Sequence, residues 1–306
     1  MGKRLLTLLK WGWAVAVLAA LAWVVVRAYE DIVEALTAVS LWALAGSILL
    51  TGLAKLLLGE NARLAAGRVG ISMHYLRALR LYNLSQLGKY VPGSIWQFVG
   101  RAAAYRADGA GYAAIRDALL LESGWIVAAA GLLGVVLMGG PGVELAARQA
   151  DSVVGWWLIG LAMAGVMAVA VLAVWKRHVL AYYLRVGRPD MRVLLVQAGI
   201  WLLLGMAFWT LARGSEVPVP PLHAIGLFAL GYSLGFMVPF APAGLGIREA
   251  VLSVGLLPWV PLEQALVVTL LARAVYFVVD VGIVMLQEPL LRRLGSASAG
   301  RQNSIP

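Results

Sequence analysis

The sequence predicts an all-α polytopic membrane protein with about six transmembrane helices and two re-entrant hairpins made of broken helices. Three observations lead to this prediction. Hydrophobic residues make up 62% of the 306-residue chain and charged residues only 13%, about half the charged fraction of ordinary soluble domains. The apolar residues form repeated stretches of roughly 20, the length that crosses a bilayer. Two further apolar stretches are interrupted by prolines and glycines. A soluble globular protein is excluded.

Six stretches have the length and composition of membrane spans: residues 11–26, 41–58, 117–138, 153–175, 194–212 and 265–285. Basic residues precede the first stretch, and the residues that follow it, Arg27 to Glu30, make a poor signal-peptidase site. We therefore expect an uncleaved anchor. Between the second span and the first hairpin, residues 61–80 alternate apolar residues with arginines, which predicts a helix lying along the cytoplasmic surface.

The distribution of basic residues predicts the orientation of the chain. With the N-terminus inside, 19 of the 25 Lys and Arg residues fall in cytoplasmic segments and three in outer segments. This is the bias that the positive-inside rule describes, so both termini are expected in the cytoplasm. The formal charge of +10 then reflects topology and gives no reason to expect nucleic-acid binding.

The two re-entrant hairpins are predicted at residues 81–101 and 222–257, because proline and glycine interrupt helices. The breaks fall at Pro92 and Gly93 in the first hairpin and at Pro239, Pro242, Gly244 and Gly246 in the second. Backbone groups freed at a break cannot face lipid and persist only against protein or a water-filled cavity. A central cavity is the economical inference, although proline and glycine also occur in membrane helices that are merely kinked or closely packed.

The order of span, hairpin and span occurs twice, in residues 41–138 and 194–285, and the predicted topology gives the two copies opposite orientations. An arginine follows the Val-Pro pair of each hairpin at the same distance, since Arg101 is nine residues after Pro92 and Arg248 nine after Pro239. Inverted repeats with broken helices are typical of secondary transporters. We expect a single transmembrane domain over residues 1–292 and a disordered cytoplasmic tail over 293–306.

Five charged residues within predicted membrane segments cost roughly 2.5 to 3.5 kcal/mol each at a helix centre, so they need partners or a function. They are Glu122, Arg248, Glu249, Arg273 and Asp280. Arginine suits bidentate phosphate binding, whereas a fixed ion network is the alternative for these groups. Lys55 is expected to snorkel to the interface. The candidate substrate-binding residues are Lys89, Trp96, Gln97, Arg101, Glu122, Arg248, Glu249 and Arg273.

Metal and thiol chemistry are not expected. The chain has no cysteine, and its three histidines, His74, His178 and His223, lie far apart without metal-ligand spacing. The sequence therefore predicts no metal and no cofactor.

Two segments, LGKYVPGSIWQFVGR at residues 87–101 and VPFAPAGLGIREA at 238–250, resemble the lysylphosphatidylglycerol synthase transmembrane-region family, also called flippase-like domain proteins. The shared motifs are PG-x-x-W-x-x-x-GR and P-x-G-x-G-x-RE, together with an arginine in the last span that Arg273 matches. The resemblance implicates Pro92, Gly93 and Arg101 in the first hairpin and Pro242, Gly244, Gly246, Arg248 and Glu249 in the second.

The family's aminoacylating members add a soluble transferase domain, and about 20 residues follow the last predicted span here. The resemblance therefore implies the translocation half of such a protein. Members often have an acid and arginine pair where this chain has Leu121, Glu122 and Ser123, which leaves the partner of Glu122 open.

Repeats and resemblance together predict a lipid flippase or scramblase, not an enzyme, in the inner membrane of a prokaryote. The expected substrate is an anionic lipid, either a polyprenyl-phosphate-linked sugar or a phospholipid. The alternatives are a membrane-embedded lipid-modifying transferase that uses Glu122 or Glu249 as a base, and a scaffold that recruits a glycosyltransferase. The sequence leaves the headgroup, the tail, the energy coupling and the oligomeric state open, as well as whether Glu122 and Asp280 are functional or structural.

Overall fold

The computed structural model describes residues 29–30, 33, 37, 39–90, 95–148, 177–238 and 244–302. These residues form helices and connecting turns, with no strand among them. Several predicted features lie outside the described residues: the spans at 11–26 and 153–175 and the hairpin residues Pro92, Gly93, Pro239 and Pro242.

Nine α-helices occur in the described part of the chain: α1 (Leu41–Arg68), α2 (Tyr75–Gln86), α3 (Trp96–Ala107), α4 (Tyr112–Arg148), α5 (Arg177–Val186), α6 (Met191–Gly214), α7 (Pro221–Met237), α8 (Ile247–Leu256) and α9 (Leu262–Gln302). A short 3₁₀ turn, Leu87–Tyr90, follows α2.

Four helices are long and apolar enough to cross a membrane: Leu41–Arg68, Tyr112–Gly140, Met191–Gly214 and Leu262–Pro289. In each half of the chain, two shorter helices lie between two of these long helices in sequence. α2 and α3 lie between α1 and α4, and α7 and α8 lie between α6 and α9. The chain is thus a helical multi-pass membrane protein. Among the described residues, the order of one long helix, two shorter helices and one long helix occurs twice.

Helix α6 provides much of the core that holds the two halves together. α1 packs along α6, α7 packs on both α4 and α6, and α9 contacts α8 and α1. Large apolar side chains of α6, among them Trp201, Leu204, Phe208 and Leu211, are almost fully buried in this core. At its start, Asp190 caps α6 by accepting a hydrogen bond from the Val193 amide at 3.0 Å. That bond and the neighbouring Arg68 lower the pKa of the Asp190 carboxyl.

The predicted surface helix over residues 61–80 is not a single element, and this expectation is wrong. α1 passes the predicted end of the span at residue 58 and continues to Arg68, while a separate helix, α2, begins at Tyr75. Asn61 is fully buried, and it accepts a hydrogen bond from Gln197 at 2.7 Å. Asn61 thus packs inside the protein, while Arg63 and Arg68 stay partly exposed; the alternating pattern could not distinguish the buried polar residue from one on an interfacial face.

α4 and α9 also extend well beyond their predicted ends. α4 continues beyond residue 138 through Gly139 and Gly140 to Arg148. α9 extends to Gln302, into the tail expected to be disordered. The first part of this extension, LLRRL at residues 290–294, is made of strong helix formers.

Glycines allow the two arms of each hairpin to approach closely. A Cβ atom added at Gly88 would lie 2.7 Å from the Gln97 amide nitrogen and 2.8 Å from the Trp96 carbonyl carbon. In the second hairpin, a Cβ at Gly235 would lie 3.3 Å from the Cα of Gly244. Gly244 and Gly246 have φ angles of 70° and 86°, in the left-handed region that glycine adopts without strain. The turn therefore reverses into α8 immediately before Arg248.

Replacing Gly88 by alanine is expected to lower the free energy of unfolding in detergent by about 1–3 kcal/mol, because the added methyl group overlaps the backbone of the opposite arm. Gly52→Ala is the matched control, since nothing lies within 4 Å of a Cβ at that helical position. A denaturant titration followed by tryptophan fluorescence measures both variants. Equal stability of the two variants would mean that the arms are not in contact.

Candidate functional site

A cavity of about 290 Å³ lies between the two hairpins. Side chains from the first hairpin, including Lys89, Gln97 and Arg101, face those of the second, including Arg248. Helices α4 and α9 complete the wall with Glu122, Arg273 and other residues. The wall carries six aromatic rings: Tyr82, Tyr90, Phe98, Tyr232, Phe236 and Tyr276. The cavity is therefore an aromatic chamber with charged groups in its wall, as binding sites commonly are.

Arg101 and Glu122 form a buried ion pair on one side of the cavity. The side chains are 2% and 4% exposed, and Arg101 Nη1 donates to Glu122 Oε1. The guanidinium also lies 5.2 Å from the ring centre of Tyr82. Glu122 thus has its partner in the arginine of the first hairpin, which answers the question that the sequence leaves open.

Glu249 is held on the opposite side, behind Arg273. One carboxylate oxygen, Oε2, accepts a hydrogen bond from the Gly246 amide at 2.7 Å, and the other accepts from Arg273 Nη1. Glu249 therefore caps the N-terminus of α8, where a negative charge is favourable, and ties α8 to α9.

Asp280 accepts interactions from two lysines and a tyrosine. Its Oδ1 forms an ion pair with Lys55 Nζ at 2.6 Å, and both side chains are almost completely buried, at 1% and 0% exposure. Its Oδ2 accepts hydrogen bonds from Lys89 Nζ and from the Tyr90 hydroxyl at 2.7 Å. Lys55 therefore does not snorkel, and that expectation is wrong. The longer α1 places Lys55 near the middle of its 28 residues, too far from either end for the amine to reach an interface.

Arg248 differs from the other arginines of the cavity because no carboxylate of the described residues holds it. Its Nη2 atom is buried and, among the described residues, has no hydrogen-bond partner. Its guanidinium carbon lies 4.4 Å from the ring centre of Phe228 and 5.3 Å from that of Tyr276. Aromatic faces stabilise a cation without occupying its N–H donors in the ring plane. Arg248 is therefore positioned while donors remain available to a ligand.

The charges around the cavity do not balance. In the described part of the chain, five cationic side chains face three carboxylates: Lys55, Lys89, Arg101, Arg248 and Arg273 against Glu122, Glu249 and Asp280. Two of the cations have no carboxylate of their own, because Lys55 and Lys89 share Asp280 and Arg248 has none. An excess of positive charge in a low-dielectric chamber favours an anionic occupant.

Comparison with known families gives one match, to the lysylphosphatidylglycerol synthase TM region, over residues 11–283. The chain belongs to this family. No curated protein matches the chain. The match covers both hairpins and all four candidate spans except the last residues of α9, so the resemblance predicted from the two hairpin motifs is confirmed. Membership supports a lipid-related function in the membrane.

The structure brings most of the predicted binding residues of this family member to one place. Lys89, Gln97, Arg101, Glu122, Arg248 and Arg273 all line the cavity, and so does the predicted break residue Gly244. Two predicted residues lie elsewhere. Glu249 is buried behind Arg273, and Trp96 is 48% exposed and is not among the lining residues. Trp96 begins α3 on its outer side, where the sequence could not distinguish it from an inward-facing ring.

Sequence reasoning missed the aromatic residues and the lysine behind the wall. Tyr276 is three residues after Arg273 and four before Asp280 on α9, so it lies on the same helical face, and this spacing could have revealed it. Lys55 could have been found as the partner of Asp280 only by placing α1 against α9, a contact between distant parts of the chain.

Proposed function

We propose that this member of the family is a lipid translocase that moves an anionic lipid across the cytoplasmic membrane of a prokaryote. The observation that carries the proposal is Arg248, a cation in the wall of a positively charged cavity that has no carboxylate partner within the described part of the chain. A phosphate ester has the geometry and charge that a guanidinium binds bidentately. The headgroup would bind in the cavity while the apolar tail stays in lipid.

The arrangement of the two hairpins supports transport. Arg101 belongs to the first hairpin and Arg248 to the second, and the cavity lies between them. Rocking of one repeat, with its hairpin, against the other would expose the same cavity first to one side of the membrane and then to the other. Transporters built from inverted repeats commonly work in this way. Arg101 would act by positioning, since its guanidinium is held by Glu122, and Arg248 would bind the headgroup directly.

The ion pairs of Glu122 and Glu249 favour a transport function over a group-transfer reaction. A general base must be within reach of the proton that it takes. Glu122 is bound to Arg101, and Glu249 to Arg273 and the Gly246 amide. Both candidate bases of the transferase alternative are thus held as ion pairs. We therefore propose a transporter and not an enzyme.

Reconstitution in proteoliposomes tests the proposal with two probes, a fluorescent phosphatidylglycerol and a fluorescent polyprenyl phosphate. Wild-type protein is expected to move at least one of them between leaflets faster than protein-free liposomes do. Arg248→Met should slow that movement roughly tenfold or more, because a hydrogen bond to a charged group contributes about 1.5–3 kcal/mol.

Arg80→Met is the matched control. Arg80 is an exposed arginine that donates to Glu288 at 2.7 Å, outside the cavity. Its variant should transport like wild type. If neither probe moves faster than in protein-free liposomes, or if Arg248→Met matches Arg80→Met, the translocation proposal fails.

A further inference from the structure

Lys89 separates the cavity from the carboxylate of Asp280. Lys89 lines the cavity, and its side chain is 12% exposed. The Asp280 side chain is 1% exposed and does not line the cavity. Lys89 Nζ donates to Asp280 Oδ2, so the ammonium group covers the side of the carboxylate that is nearest to the cavity. Lys89 therefore forms the part of the cavity wall behind which Asp280 lies.

The other two carboxylates of the site are also engaged by the protein's own donors. Glu122 is bound to Arg101, and Glu249 to Arg273 and the Gly246 amide. The two short segments between the hairpin arms, residues 91–94 and 239–243, contain no acidic residue in the sequence. Among the described residues that line the cavity, the acidic side chain is Glu122, and four cationic side chains surround it: Lys89, Arg101, Arg248 and Arg273. A ligand ammonium group entering the described cavity would therefore meet a predominantly positive wall. It would approach Arg248, which has no carboxylate partner among the described residues, and Lys89, and like charges repel strongly at low dielectric.

We infer that the cavity selects lipids by the net charge of the headgroup, that it excludes headgroups carrying an ammonium group, and that Lys89 is the residue that sets this selectivity. The inference rests on the proposed function, because it assumes that a lipid headgroup enters the cavity. This selectivity would restrict the substrates to lipids whose headgroup contains a phosphate but no amine. An aminoacyl ester of phosphatidylglycerol, which adds ammonium groups to the same phosphate, falls outside that class.

Lys89 acts on selectivity through Asp280. Asp280 also holds Lys55 and the Tyr90 hydroxyl, so it keeps two partners when Lys89 is changed. Lys89→Gln removes one positive charge from the wall and exposes an aspartate oxygen to the cavity. The variant therefore gains a site that an ammonium group can occupy.

Native mass spectrometry of the purified full chain tests the inference with three phospholipids of identical acyl chains: phosphatidylglycerol, phosphatidylethanolamine and lysyl-phosphatidylglycerol. Wild-type protein is expected to bind phosphatidylglycerol at least about tenfold more tightly than either amine-bearing lipid. Lys89→Gln should reduce this preference roughly tenfold, mainly by improved binding of the amine-bearing lipids. Lys89→Arg, which keeps the charge, should retain the wild-type preference.

A gain of binding distinguishes selectivity from structural damage, since an unfolded or loosened variant would lose all three lipids. Arg80→Gln also removes one positive charge, but outside the cavity, and should leave the preference unchanged. Equal binding of the three lipids by wild type, or an unchanged preference in Lys89→Gln, overturns the charge selectivity and leaves translocation standing. If wild type binds none of them and moves no lipid in proteoliposomes, both proposals fall together.

Discussion

Asp280→Asn is expected to lower the free energy of unfolding by about 3–5 kcal/mol, the cost of removing one partner from a buried ion pair. Lys55 is fully buried and its amine pairs with Asp280 Oδ1 at 2.6 Å. The asparagine keeps the shape of the side chain but removes the charge that compensates Lys55. Lys89 loses its carboxylate at the same time. Two cations are then left in a low-dielectric region with neutral oxygens as their nearest acceptors.

The measurement is a denaturant titration in detergent micelles, with Asp108→Asn as the matched control. Asp108 pairs with Arg77 at an exposed position, where the side chains are 31% and 54% exposed. Exposed pairs contribute about 0–1 kcal/mol, so the control should remain close to wild type. If Asp280→Asn destabilises the protein no more than Asp108→Asn, the Lys55–Asp280 pair does not hold α1 against α9.

A double variant separates the charge effect from packing. Lys55→Met with Asp280→Asn removes both members of the deep pair, so the fully buried cation disappears, while Lys89 lacks its carboxylate in the single and the double variant alike. The double variant should be more stable than the sum of the two single changes predicts, by about 0.5–3 kcal/mol, as contacting residues usually are. Strict additivity would contradict a direct interaction between these two side chains.

The sequence was sufficient to predict the helical membrane fold and the location of the cavity. Hydropathy sets the spans because backbone groups must be satisfied within the segment, and the Val-Pro motifs identify the two hairpins. Arg101 of the first hairpin and Arg248 of the second both line the cavity. These features follow from local sequence and from the bilayer, so they needed no knowledge of tertiary packing.

The different roles of the two matched arginines could not be predicted. Arg101 and Arg248 have the same spacing from a proline, yet Arg101 is paired with Glu122 while Arg248 lies against aromatic rings. The difference depends on which residue of a distant helix faces each arginine. Likewise, the sequence gave no sign that Lys55 is buried. The predicted span ended at residue 58, close to Lys55, whereas α1 continues to Arg68. Pairings between distant segments are set by tertiary packing, which hydropathy does not encode.

Glu122→Gln is expected to have opposite effects on stability and on lipid binding. Arg101 and Glu122 are both almost completely buried, so removing the carboxylate charge should lower the free energy of unfolding by about 3 kcal/mol. Glu60→Gln is the control, because Glu60 pairs with Arg63 at a partly exposed position and its loss should cost at most about 1 kcal/mol. A denaturant titration compares the two variants.

Binding of an anionic lipid should become several-fold tighter in Glu122→Gln, because Arg101 then has no carboxylate partner and lines the same cavity as Arg248. Phosphatidylglycerol binding by native mass spectrometry measures this effect. The two readouts together decide what Glu122 does. A structural partner of Arg101 predicts lower stability with tighter binding. Lower stability without tighter binding would contradict this role of Glu122 and would revive group transfer as the function of the cavity.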